Sequence, residues 1–77
     1  MTQAQMLVQQ FRTITAPGST VNTWKWATRA TRDLTPLGNS TIGSAHGNCG
    51  IAVFQCEDRS RFGYDLNGAQ QVWAMPA

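Results

Sequence analysis

The sequence predicts an α+β domain in which one N-terminal helix packs on a three- or four-stranded antiparallel sheet, with a β-meander in the C-terminal half. Three observations carry that expectation. Apolar residues recur at helical spacing over residues 3–14, Pro17-Gly18 breaks that pattern, and alternating runs flank Asn67-Gly68 in the last third of the chain. Seventy-seven residues make one domain. A chain this short buries only about 60% of its unfolded surface, so its stability margin is thin without a staple or a partner.

Residues 3–14 read as an amphipathic helix. Ala4, Leu7, Phe11 and Ile14 follow the i, i+3, i+4 rule. Thr2 with Gln5 three residues later has the form of a capping box. Pro17-Gly18 ends the helix and turns the chain.

Residues 20–32, TVNTWKWATRATR, admit two readings. Their Trp, Thr and Val content favours a strand. That strand would put Trp24, Trp26, Thr28 and Ala30 on one face and Val21, Thr23, Lys25, Arg29 and Thr31 on the other. The helical alternative stacks Trp24, Ala27 or Thr28, Thr31 and Leu34. Residues 35–50 read as a long connection, holding Pro36 and four of the seven glycines, with Ile42 as a short strand or a hydrophobic pin.

The stretch 50–76 reads as three short strands joined by two turns. Asn-Gly suits the positive φ angles of a two-residue type I′ hairpin. That turn would set Leu66 opposite Ala69, Tyr64 opposite Gln71 and Phe62 opposite Trp73. Phe62, Tyr64, Leu66, Trp73 and Met75 would then share one face, because strand side chains alternate with period two. The first turn, around Glu57-Asp58-Arg59-Ser60, leaves two registers open. An even loop sets Phe54 across from Gly63, whereas an odd one aligns Ala52, Phe54 and Cys56 with Phe62 and Tyr64.

Composition narrows the function classes. At 42% hydrophobic and 13% charged, the chain is too apolar for disorder and poorer in charge than the roughly 25% of an ordinary soluble domain. Uncharged polar groups are cheap to desolvate, which favours a life spent against a partner. The net charge of +2 divides unevenly. Arg12, Lys25, Arg29 and Arg32 stand in the first 32 residues without an acid, and the four acids all follow. No stretch approaches the roughly 20 apolar residues of a membrane span, and the N-terminus lacks a signal-peptide pattern. A cytoplasmic protein with reduced thiols is therefore expected. Cys49 and Cys56 cannot bridge if the residues between them are extended, since seven steps of about 3.3 Å part them by roughly 23 Å.

Signatures of chemistry are weak. His46, Cys49, Cys56 and Asp58 include zinc-binding types, but the two close ligand pairs of a structural site are missing. A Cys49–His46 nucleophile and base would sit in a glycine-rich loop, a poor scaffold for precise geometry. The glycine loop has neither P-loop nor dinucleotide-binding spacing. No cofactor, metal or catalytic residue is expected, and the chain reads as a non-enzyme.

The remaining reading is a small binding protein whose partner is another protein, since three Trp, three Phe and one Tyr exceed what a tiny core hides. The expected partner-binding residues are Trp24, Lys25, Trp26, Arg29, Arg32, Ile42 and His46. By analogy of size and composition, such domains are common among phage and mobile-element accessory proteins, including inhibitors of host enzymes and virion components. Assembly with further copies of the chain is compatible with this reading. The alternative is a single-stranded nucleic-acid module, in which indoles stack bases and the cations of the first half meet phosphates.

Overall fold

The computed structural model describes residues 1–39, 51–67 and 70–76. In chain order the elements are α1 (Gln3–Ile14), α2 (Thr23–Ala30), β1 (Thr35–Asn39), β2 (Ile51–Gln55), β3 (Arg61–Asp65) and β4 (Gln71–Met75). The four strands form one antiparallel sheet in the order β1-β2-β3-β4. The fold is thus α+β, with the helices on one face of a meander.

Helix α1 begins as its sequence dictates. The Thr2 hydroxyl accepts from the Gln5 N–H at 3.1 Å, and the Gln5 side chain accepts from the Thr2 N–H at 2.8 Å. This closed box satisfies donors that no intrahelical carbonyl can reach. Two further donors are met across the fold. The Asp58 carboxylate accepts from the Gln3 N–H at 2.7 Å, and the buried Ser60 hydroxyl accepts from the Ala4 N–H at 3.1 Å. The turn between β2 and β3 therefore docks onto the start of α1.

Residues 20–32 depart from the favoured strand reading. Thr23–Ala30 is helical, and the Asn22 side chain caps it by accepting from the Lys25 N–H at 3.1 Å. The threonines that argued for a strand fold their hydroxyls back along the helix. Thr28 donates to the Trp24 carbonyl at 2.9 Å and Thr31 to the Ala27 carbonyl at 2.7 Å. Packing explains the outcome. Trp26 fills the space between helix and sheet, 5.7 Å from the Phe11 ring and 6.0 Å edge-on from Phe62. Such pairs contribute about 0.5–1.5 kcal/mol each beyond burial, comparable with the whole span of strand propensities.

The connection expected from residue 35 instead opens with strand β1. Its Pro36 is tolerated because β1 lies at the edge of the sheet, and the pairing with β2 shifts between Pro36 and Asn39. The Ile42 expectation lies outside the described residues.

The first hairpin takes the odd loop. Ala52 pairs with Tyr64 and Phe54 with Phe62. The Cys56 N–H donates to the Ser60 carbonyl at 2.8 Å, and the Arg59 N–H donates to the Cys56 carbonyl at 3.0 Å. Arg59 takes φ 72°, the left-handed residue that a three-residue loop requires.

The second hairpin corrects the expected register. Tyr64 pairs with Val72, Phe62 with Ala74 and Gly63 with Trp73. Phe62 and Trp73 consequently lie on opposite faces, and the register that a two-residue Asn67-Gly68 turn would set is not the one adopted. The turn instead closes with the Gln70 N–H on the Asn67 carbonyl at 3.1 Å, with Gln70 at φ 51°. Steric demand accounts for the one-residue slip. Helix α1 lies over β3 and β4, and Val72 and Ala74 are small enough to pack beneath it with Val8. Trp73 goes to the other face, where its indole occupies the space above Gly63.

The core is continuous. Ala4, Leu7 and Phe11 of α1, Trp26 and Ala27 of α2, Phe62 of β3, and Cys56 and Leu66 just past the ends of β2 and β3 form one buried cluster. Tyr64 extends it, stacked 5.9 Å from Phe54, and burial pushes its hydroxyl above the usual tyrosine range.

Candidate partner-binding surface

The surface with the clearest binding character is the outer side of α2. With 3.6 residues per turn, successive residues step around the axis by about 100°. Trp26, Ala27 and Ala30 therefore face the core, while Trp24, Thr28, Lys25 and Arg29 fill the opposite arc. Burial follows that division. Trp26 is 8% exposed and Trp24 is 41% exposed. The two indoles that a strand would have set side by side are separated by the helix, one inside and one out.

Trp24, Lys25, Thr28 and Arg29 line a shallow groove of about 350 Å³. Lys25, Thr28 and Arg29 are all exposed, as is Arg32 two residues beyond the helix. The groove thus joins an indole face to two cations. The expected alternation had put indoles and cations on opposite sides, and the helix reverses this for Trp24. The bond from Thr28 to the Trp24 carbonyl ties the first and second turns of this short helix.

Among the expected site residues, Trp24, Lys25 and Arg29 come together and Arg32 follows them. Trp26 belongs to the core cluster. Ile42 and His46 lie outside the described residues. Thr28 was missed as a lining residue, although its i+4 spacing from Trp24 becomes the signal once the segment is read as a helix. No protein-family model, curated protein or solved structure matches this chain.

A second group has perturbed titration, at the turn after β2. The Asp58 carboxyl is held below its ordinary range by the Gln3 N–H first, then by the Ser60 hydroxyl and N–H. Burial pushes the neighbouring Cys56 thiol up, the polar Ser60 side chain opposes this, and the Asp58 charge adds to it. Cys56 is a buried free thiol. Asp58 and Ser60 serve the cap of α1, and the buried Cys56 thiol has the anionic Asp58 beside it rather than the electropositive setting of a nucleophile. Among the described residues no three His, Cys, Asp or Glu side chains gather as a metal site. Nor is any described helix long and apolar enough to cross a membrane.

Proposed function

We propose that this chain is a small, non-enzymatic binding protein that acts by docking the outer face of α2 onto an acidic surface of another protein. The observation carrying this reading is Trp24, 41% exposed on a rigid helix and flanked by Lys25, Thr28 and Arg29. Tryptophan and arginine are the commonest interface anchors, because each buries a large area at small conformational cost. The cations ask for carboxylates opposite them, and their pairing supplies orientation and on-rate more than affinity. In size and scarcity of charge the chain fits an accessory protein, such as a phage inhibitor of a host enzyme or a virion component.

The same face favours one other reading. An exposed indole beside two cations is also a platform for single-stranded nucleic acid, the base stacking on Trp24 and phosphates meeting Lys25 and Arg29.

Affinity capture from nuclease-treated extract, with wild type and Trp24→Ala side by side, tests the proposal. A protein retained by wild type and lost with Trp24→Ala supports it. The purified partner should then bind Trp24→Ala more weakly by about 2 kcal/mol. Retention of nucleic acid before nuclease treatment, with an affinity that falls steeply with salt, would favour the second reading instead. Equal recovery by both proteins would overturn the role of Trp24.

A further inference from the structure

The two edges of the sheet differ in a way that the α2 face does not account for. Edge strands offer unpaired backbone groups, and most are blunted by proline, bulges or charge. Strand β1 is blunted by Pro36 and by the break in register between Pro36 and Asn39. Strand β4, QVWAM, has none of these features. Its pairing with β3 is regular along its whole length.

The ladder fixes which backbone groups β4 presents. The bond from the Cys56 N–H to the Ser60 carbonyl marks Cys56–Ser60 as a hydrogen-bonded pair. In an antiparallel ladder such pairs alternate with non-bonded ones. Phe54–Phe62 and Ala52–Tyr64 are then bonded pairs, in the register observed. Arg61, Gly63 and Asp65 must turn their N–H and C=O groups toward β4, where they meet Met75, Trp73 and Gln71. Val72 and Ala74 therefore point their backbone groups outward. Among the described residues, neither is bonded by a turn or loop.

We propose that β4 pairs antiparallel with β4 of a second copy about a two-fold axis through Trp73, joining the two meanders into one continuous sheet. In that register Val72 faces Ala74 of the partner copy, and both residues have outward groups to exchange. Trp73 faces its own symmetry mate as a non-bonded pair, where side chains come closest. Other symmetric registers fail. Centring on Ala74 sets Val72 against Pro76, which has no N–H to donate. Centring on Val72 sets Ala74 against Gln70, whose φ of 51° takes it out of the extended strand.

The charges fit the same axis. Strand β4 has no charged residue, so self-pairing opposes no like charges. Beside it, α1 and β4 flank a groove of about 420 Å³ lined by Met1, Gln5, Val8, Gln9, Arg12 and the Val72–Ala74 strand. Arg12 is the only charge on α1. Gln5 also adjoins the Ala74–Pro76 end of the strand, which leaves Arg12 toward the Val72 end. A two-fold normal to the sheet keeps both α1 helices on the same face and runs them in opposite directions. It brings the Arg12 end of one toward the Gln5 end of the other and holds the two guanidiniums apart. Such an isologous contact closes on itself and leaves no further edge at β4.

Light scattering across a concentration series, with amide exchange on the same samples, tests this. Wild type should reach twice the mass of one chain. The Val72 and Ala74 amides should be protected in the dimer and lose protection on dilution, while those of Trp73 and Met75 stay protected by β3. Ala74→Pro removes an outward N–H and leaves the bonds to β3 intact, so it should fold and weaken dimerisation about tenfold or more. A single-chain mass at every concentration with freely exchanging Val72 and Ala74 amides would overturn the proposal. So would a dimer that Ala74→Pro leaves intact, or protection appearing only when an extended peptide is added. Should Ala74→Pro fail to fold, the concentration dependence of the two wild-type amides decides alone.

Discussion

The Trp73 indole lies where a side chain on Gly63 would stand. A β-carbon built on Gly63 would fall 2.5 Å from Trp73 Cε2. The two residues are cross-strand partners on the face of the sheet away from the helices. Here glycine is needed for room, since its backbone is an ordinary strand.

Gly63→Ala should therefore destabilise the domain by about 1–3 kcal/mol, the cost of forcing an overpacked ring aside. In a Trp73→Ala background the same substitution should cost nearly nothing, because the space is then free. Urea denaturation of the four proteins measures the coupling directly. Additive effects would show that the indole does not hold this site.

The cap of α1 makes stability depend on acid. The folded state holds the Asp58 carboxyl below its ordinary value near 3.8, chiefly through the Gln3 N–H. Its contribution is then complete above the unfolded-state value and is lost as pH falls through the lower folded value. Asp58→Asn should lower stability at neutral pH and flatten the decline below about pH 4. Chemical denaturation between pH 2 and 7 would reveal both changes.

Ser60 should matter more than a turn serine usually does. Its side chain is fully buried, accepts from the Ala4 N–H and donates to Asp58. Ser60→Ala leaves the Ala4 N–H without that acceptor, at a cost of about 1–3 kcal/mol. Thermal melts should show the loss, and amide exchange should place it in the first turn of α1.

The two tryptophans of α2 should behave oppositely on truncation. Trp26→Ala removes the ring between Phe11 and Phe62 and should cost about 3–5 kcal/mol of stability. Trp24→Ala should change stability by about 0.5 kcal/mol or less, as exposed substitutions do, while weakening partner binding. Paired melts and binding titrations separate the two roles.

Cys56 should be inert in the native protein. Its thiol is buried and raised above the usual range, so little reactive thiolate forms near neutral pH. In a Cys49→Ser background, its modification by a disulfide reagent should wait on unfolding and speed up sharply in denaturant. Rapid labelling of the folded protein would contradict this.

Local chemistry was enough to specify α1. Thr2, Gln5 and the 3.6-residue apolar spacing all act within a few residues, and the helix runs over the residues they indicate. The strand character of 51–55, 61–65 and 71–75 was legible for the same reason, since alternation is local. Both parities of the first turn could be written down from the chain, but choosing between them needed the buried face on which Phe54 and Phe62 meet. Parity also decided β4, where Asn67-Gly68 favoured a two-residue turn worth little against packing. Placing Trp73 on the other face lets Val72 and Ala74 fit beneath α1 and sets the indole over Gly63, two contacts between residues distant in sequence. Helix α2 follows the same logic. Trp, Thr and Val carry strand propensity, yet the pocket between Phe11 and Phe62 rewards a helix that turns Trp26 inward. That inward turn is what sends Trp24 out among Lys25, Thr28 and Arg29. The candidate binding residues could thus be named from the chain, whereas their division into core and surface depended on a helical period that long-range packing imposed.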